Sequence, residues 1–230
     1  MNNEIIISLV PLAIGFVTYF ALHSLLASLQ LKKFVAQRWP TIMPAYRLAF
    51  NVVSVVLLLP LLSLMQQTPG PVIWQWHGNW STLMNGLMLA AIGGFIWSLK
   101  SYDNMVFLGW TQWKNRHQGC EDPERLHIST LHRFVRHPWY FFIIVILWTQ
   151  DIHLVQLVTY GLITLYLVIG SHLEERKLME CYGESYRQYC QRVPGLIPLP
   201  WKWISEDEAK KLIKMANNGY SSDQSSNQEL

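Results

Sequence analysis

Two short stretches concentrate the side chains that could do chemistry. One runs Glu124-Arg-Leu-His-Ile-Ser-Thr-Leu-His-Arg-Phe-Val-Arg-His-Pro-Trp-Tyr140, and the other Ser171-His-Leu-Glu-Glu-Arg-Lys-Leu178. They offer cations (Arg125, Arg133, Arg136), imidazoles (His127, His132, His137), a carboxylate pair (Glu174, Glu175) and aromatic faces (Trp139, Tyr140). S-adenosylmethionine needs this kind of set. Its carboxylate wants Arg or His, its ammonium or ribose hydroxyls want a Glu, and its sulfonium can sit over an aromatic face, worth ~0.5–2 kcal/mol. Pro138 suits a first helical turn, and the N–H groups after it can receive an anion. The same residues also read as plain structure. Arg136 with Glu174 or Glu175 is then an interfacial ion pair, and Trp139 and Tyr140 are aromatic-belt residues. His117, Cys120, His127, His132 and His137 invite a metal, but their spacing matches no zinc pattern, and no metal is expected.

The elements that must position these residues are membrane segments. Of 230 residues, 51% are hydrophobic and 14% charged, against ~25% charged in soluble domains. The apolar residues fall in blocks: Ile5 to about Leu29, Leu48 to Met65, Leu83 to Leu99, Trp139 to Trp148, and Leu154 to about Ile169. A span needs ~20 apolar residues, so the fourth block is too short to cross alone. Only Thr149 to His153 separates the last two blocks, which predicts a tight helical hairpin. The fold class expected is an all-α integral membrane protein with about five membrane-entering helices and a cytoplasmic C-terminal helix. The first block has no small-residue cleavage site after it and reads as a true span rather than a signal peptide. Pro60 is expected to kink or end the second span. Gly86, Gly93 and Gly94 are expected to let helices approach closely.

Charge gives the orientation. With the N-terminus outside, all 18 Lys and Arg fall in the inner segments 30–47, 100–138 and 171–230, and none in the outer ones. Trp74, Trp76 and Trp80 in the outer loop suit an interfacial belt. Cys120, Cys181 and Cys190 all lie on the reducing inner side, so no disulfide is expected. A net charge of only +3 disfavours nucleic-acid binding. No Gly-rich strand-to-helix turn occurs, which excludes a Rossmann-type methyltransferase. Residues 205–215 read as a short surface helix, and the Asn/Ser/Gln-rich tail from about Asn217 reads as disordered. Three divisions follow: 1–100 with three spans, 101–203 as the core, and 204–230 as helix and tail.

The pattern of motifs resembles the isoprenylcysteine carboxyl methyltransferase superfamily, which also includes phospholipid methyltransferases. The residues that carry it are Arg136-His137-Pro138-x-Tyr140, Glu174-Glu175-x-x-Leu178, Tyr182-Gly183-x-x-Tyr186-x-x-Tyr189 and Val193-Pro194-x-x-Ile197-Pro198. In the N-terminal half, His23-Ser24-Leu-Leu-Ala27 and Asp103…Leu108-Gly109-x-x-Gln112 are similar to the branch containing methanethiol S-methyltransferase, nurim and NnrU-type proteins. The resemblance implies a membrane methyltransferase using S-adenosylmethionine. Its cofactor pocket would include Glu124, Arg125, Leu126, His127, His132, His137, Pro138, Trp139, Tyr140, Glu174 and Glu175.

The acceptor implied is small or lipophilic, with a thiol favoured. His132 or His127 would take its proton, and Arg133 and Arg136 would favour the thiolate. Carboxyl or amine methylation, or a non-catalytic member of the nurim and NnrU kind, are the alternatives. Gly170 stands where the prenylcysteine enzymes carry an Arg, which weakens the carboxyl reading. Thr130, Leu131 and His132 replace a usual Gly-aromatic pair, and Phe141-Phe142 replaces a usual Gly. Beyond the bilayer and the acceptor no partner is expected, and the membrane expected is the bacterial inner membrane.

Overall fold

The computed structural model describes residues 3–68, 70–101, 103–116 and 126–226. Among the described residues, four helices are long and apolar enough to cross a membrane: Leu9–Ala27 within α1 (Asn3–Ala27), Met43–Gln67 including α3 (Tyr46–Gln67), α4 (Asn79–Ser98) and α8 (Leu154–Arg192). The protein is an all-α, multi-pass integral membrane protein. Between these lie α2 (Leu29–Arg38), β1 (Val72–Trp74), α5 (Asn104–Leu108), α6 (Trp110–Lys114), α7 (Pro138–Trp148), β2 (Ile152–His153) and, last, α9 (Glu206–Ser226). At ~1.5 Å per residue, the 11 residues of α7 fall well short of a ~30 Å hydrocarbon core. Its shortness is the property expected of the fourth block.

The chain divides into two compact units. The first comprises Met1–Gly86, Tyr102–Asp122 and Leu147–Thr164. Its core joins Leu12 and Phe16 of α1, Met65 of α3, and Val155 and Tyr160 of α8. A Cβ on Gly15 would stand 2.7 Å from Leu61 Cδ2, so a glycine is what lets α1 and α3 close. His23 packs its ring on Phe50, with centroids 5.0 Å apart. At one end, β1 pairs antiparallel with β2, Leu154 N donates to Pro71 O at 2.9 Å, and Trp76 N donates to Asp151 Oδ1 at 3.0 Å. The two loops that charge assigns to one membrane side are thus bonded to each other.

The Asp103–Gln112 motif has a structural role in this unit. Asp103 caps α5 by accepting from Met105 N and Val106 N. Gly109 then turns the chain with φ +88°, and a Cβ there would lie 2.6 Å from Leu48 N. The exposed carbonyls of the turn are taken up from α3: Arg47 Nε donates to Phe107 O, and Asn51 Nδ2 to Phe107 O and Leu108 O. Gln112 Nε2 donates back to Val106 O.

The second unit comprises Leu87–Ser101, Pro123–Ile146 and Leu165–Leu230. Its core holds Leu126 and Ile128, Tyr186, Tyr189 and Val193, then Ile204, Ala209, Leu212 and Ala216. Helix α8 breaks at Gly183 (φ 52°, ψ −127°), a conformation open to glycine and strained for other residues. Ser205 and Glu208 form a reciprocal capping box at the start of α9: Glu208 N donates to Ser205 Oγ, and Ser205 N donates to Glu208 Oε2.

Three local expectations change. Pro60 does not end its helix, since α3 continues to Gln67; a proline is tolerated inside a membrane helix because neighbouring groups re-satisfy the freed carbonyl. Of the three glycines in α4, only Gly94 meets a neighbour. A Cβ there would stand 2.7 Å from the Phe142 ring, whereas Gly86 and Gly93 face open space. Helix α9 runs to Ser226, past the 205–215 that composition marks as helical.

Gly109→Ala is expected to lower stability by ~1–3 kcal/mol, because it combines a left-handed backbone with a backbone clash. Gly86→Ala, inside α4 with open space at its Cβ, should not lower it and should raise it by up to ~1 kcal/mol. Thermal unfolding of both variants in detergent checks this.

Candidate active site

The candidate site is built in the second unit, where α7 begins and the C-terminal half of α8 passes it. Arg136 ties the two together. Its Nε donates to Glu175 Oε1 at 2.9 Å, and Nη2 lies 2.8 Å from the same oxygen. Its Nη1 donates to Cys190 O at 2.8 Å and also to Val193 O. The backbone adds two more bonds: Arg136 N to Pro194 O at 2.9 Å and His137 N to Gly195 O at 3.0 Å. A Cβ on Gly195 would stand 3.3 Å from Arg136 Nη2, so a larger residue there would push the guanidinium by a few tenths of an ångström. Arg136 and Glu175 are each 13% exposed, so both charges are largely out of water and depend on this full set of partners.

His137 stands next to that pair, nearly buried, with Nε2 donating to Glu175 Oε1 at 3.0 Å. Its Nδ1 lies 3.5 Å from Glu174 Oε2. Tyr140, one turn along α7, stacks on the imidazole at 5.3 Å and 10°, and its O–H donates to Glu174 Oε2 at 3.4 Å. Glu174 is 49% exposed, in contrast to Glu175. The carboxylate pair therefore divides its work. Glu175 is consumed inside the fold, while Glu174 keeps a half-exposed carboxylate beside an aromatic face. Phe141 N donates to His137 O, which places His137 at the cap of α7 and leaves the N–H groups of the first turn outside the helical ladder.

The remaining predicted residues scatter. Trp139 turns inward: its Nε1 donates to Ser98 Oγ at 2.8 Å and its ring packs on Phe95 of α4. Leu126 is a core side chain under α9. His127 is exposed. His132 is mostly buried, with Nδ1 sharing a hydrogen bond of 2.7 Å with Ser129 Oγ, while Tyr189 donates its O–H to His132 O. Burial first, then the nearby His127 and His137, lowers the His132 pKa to about 4. It is therefore neutral at pH 7 and a weak proton acceptor. Pro138 starts α7 and is buried. Glu124 and Arg125 lie outside the described residues, as do His117 and Cys120.

Sequence reasoning missed what Cys190, Val193, Pro194 and Gly195 do, since their carbonyls hold Arg136 and His137. The Val-Pro-x-x-Ile-Pro motif marks the place but names no role, because a carbonyl has no side-chain signature.

Arg136→Met is expected to cost ~3–5 kcal/mol, because it leaves Glu175 without its cation, with His137 as its remaining donor, and takes the Arg136 donor from two carbonyls. Arg192→Ala, which removes only an exposed pair with Glu208, should cost ~0–1 kcal/mol. Unfolding midpoints in detergent compare the two.

No protein-family model matches the chain, and no solved structure matches it. Curated proteins do. It is 30% identical over 198 residues to "Methanethiol S-methyltransferase" of a Pseudomonas species, covering 81% of this chain and 72% of that protein. It is 28% identical over 211 residues to the "Methanethiol S-methyltransferase" of Crocosphaera subtropica, covering 86% and 78%. With "Methanethiol S-methyltransferase 1" of Bradyrhizobium diazoefficiens it shares 42% identity over 77 residues, 33% of this chain and 27% of that protein. With similarity at this level running through most of its length, the chain belongs to the methanethiol S-methyltransferase family of membrane methyltransferases.

Proposed function

We propose that the protein transfers a methyl group from S-adenosylmethionine to a small thiol, at the start of α7. The observation that carries this reading is the half-exposed Glu174 beside the stacked His137 and Tyr140, held in place by the Arg136 knot. The donor set suits the cofactor. Glu174 offers a carboxylate to an ammonium or to ribose hydroxyls, Tyr140 offers an aromatic face to a sulfonium, and the first turn of α7 offers N–H groups to a carboxylate. When bound, the cofactor supplies a methyl group already activated on sulfur.

The residues of the chain mainly bind, orient and exclude water, and such alignment supplies ~7–11 kcal/mol. Arg136 serves as the positioning residue, because its nitrogens are committed to Glu175 and to the carbonyls. Base catalysis by His132 is disfavoured. From an acceptor thiol of pKa ~8.5 to an imidazole at about 4, proton transfer is uphill by roughly 4.5 units, ~6 kcal/mol. The thiol therefore enters as a thiolate formed in solution or by the exposed His127. Arg133, near His132 in sequence, contributes positive potential.

A thiol acceptor is favoured over a carboxylate or an amine because the relatives' names carry methanethiol. For orientation we favour the N-terminus outside and the C-terminus in the cytoplasm of a bacterial inner membrane. The one-sided Lys and Arg and the bonding of the two outer loops support this arrangement.

Titration calorimetry of S-adenosylmethionine into detergent-purified protein tests the site. Wild type should bind, and Glu174→Ala, half exposed and outside the core, should weaken binding by ~10-fold or more while the unfolding midpoint holds. Equal affinity for wild type and variant would remove Glu174 from the site. No binding by folded wild type would sink the cofactor assignment.

A further inference from the structure

The segment that follows α8 does more than supply carbonyls. Between Val193 and Ile204 it exposes Ile197 (66%), Trp201 (74%) and Trp203 (52%). Trp203 stacks on the exposed Phe134 at 6.2 Å and 23°, and the Arg133 guanidinium stands 5.9 Å over the Phe134 ring. The Arg133 backbone is locked to the same segment: Ile204 N donates to Arg133 O, and Arg133 Nε donates to Ile204 O. Three large apolar side chains of this segment are thus exposed, with the exposed Phe134 stacked on one of them and Arg133 and Lys202 beside them in the chain.

Two further features say what covers this patch. From Ser185 to Ser205 the chain has no acidic residue; Arg187 and Arg192 pair with Glu184 and Glu208 outside that stretch, and Lys202, between the two exposed Trp residues, is the charge that complements anionic headgroups. Pro194, Pro198 and Pro200 each remove a backbone N–H, and the turn between them and Ile204 closes with Lys202 N donating to Leu199 O at 3.0 Å. Fewer unpaired donors make a segment cheaper to place where water is scarce. Trp beside Lys is the pairing that suits the headgroup level, the indole in the interface and the ammonium reaching water.

We propose that the Val193–Ile204 strap is an interfacial anchor that inserts Ile197, Trp201 and Trp203 into the headgroup region of an anionic bilayer. Because Pro194 O and Gly195 O hold the backbone of Arg136 and His137, the anchor fixes the RHP segment at the membrane surface. The Trp pair is a bilayer contact, and a soluble partner or a second copy of the chain is the competing occupant.

The test uses the full chain in phosphatidylcholine–phosphatidylglycerol vesicles, with and without dibromo acyl chains. The tryptophan fluorescence lost on W201F plus W203F is the signal of these two residues, and Trp201→Phe alone serves if the double variant is unstable. Brominated lipid should quench most of that difference signal. If bromination leaves it unchanged, the proposal fails. Quenching by aqueous iodide would then show a water-facing patch, and resistance to both would show one covered by protein. The readout is independent of methyl transfer, so it stands or falls apart from the catalytic reading.

Discussion

A single buried cation holds the second unit of this protein together. Withdrawing Arg136 and Glu175 from water costs several kcal/mol per ion. That cost is offset because Arg136 finds one carboxylate oxygen and two carbonyls, and all three of its nitrogens are used, as the multi-donor fork of a guanidinium allows and an ammonium does not. Everything the site needs follows from that knot. It fixes the start of α7 against α8, brings the turn after α8 back under His137, and leaves Glu174 as the carboxylate still facing outward. The short α7 then makes sense: a helix that need not cross the bilayer can begin wherever the knot places it.

Much of this arrangement is legible in the residues. The one-sided Lys and Arg distribution assigns two loops to the same membrane side, and β1–β2 pairing with the Asp151–Trp76 bond joins them. The tight spacing between the last two apolar blocks predicts that the RHPxY segment meets the Glu pair, and His137 lies 3.0 Å from Glu175. What could not be read is the division of labour. Nothing in Glu-Glu says which carboxylate is buried, since that depends on which side of α8 meets Arg136. Trp139 and Tyr140 are adjacent and equally aromatic, yet a helix points them apart, one to Ser98 and one to His137. The glycines mislead for the same reason. Gly94 matters because Phe142 meets it, and Gly86 does not because nothing does.

The Asp103–Gln112 motif shows a sequence likeness whose content is structural. Its residues cap, turn and close a helical corner on α3. His132 teaches the complementary lesson. A histidine at an interface looks like a base until its burial is known, and burial lowers its pKa to about 4. Under the proposed function, the chemistry rests on alignment and on a thiolate formed without His132 as its base.

The most direct test of this account is methyl transfer from labelled S-adenosylmethionine to methanethiol by the protein in lipid nanodiscs, followed across pH. The account predicts a labelled volatile thioether, formed at a rate that climbs ~10-fold per pH unit until the acceptor is ionised, as a thiolate-limited step requires. Label retained in lipid or protein would contradict it, as would a folded, cofactor-binding enzyme that makes no product.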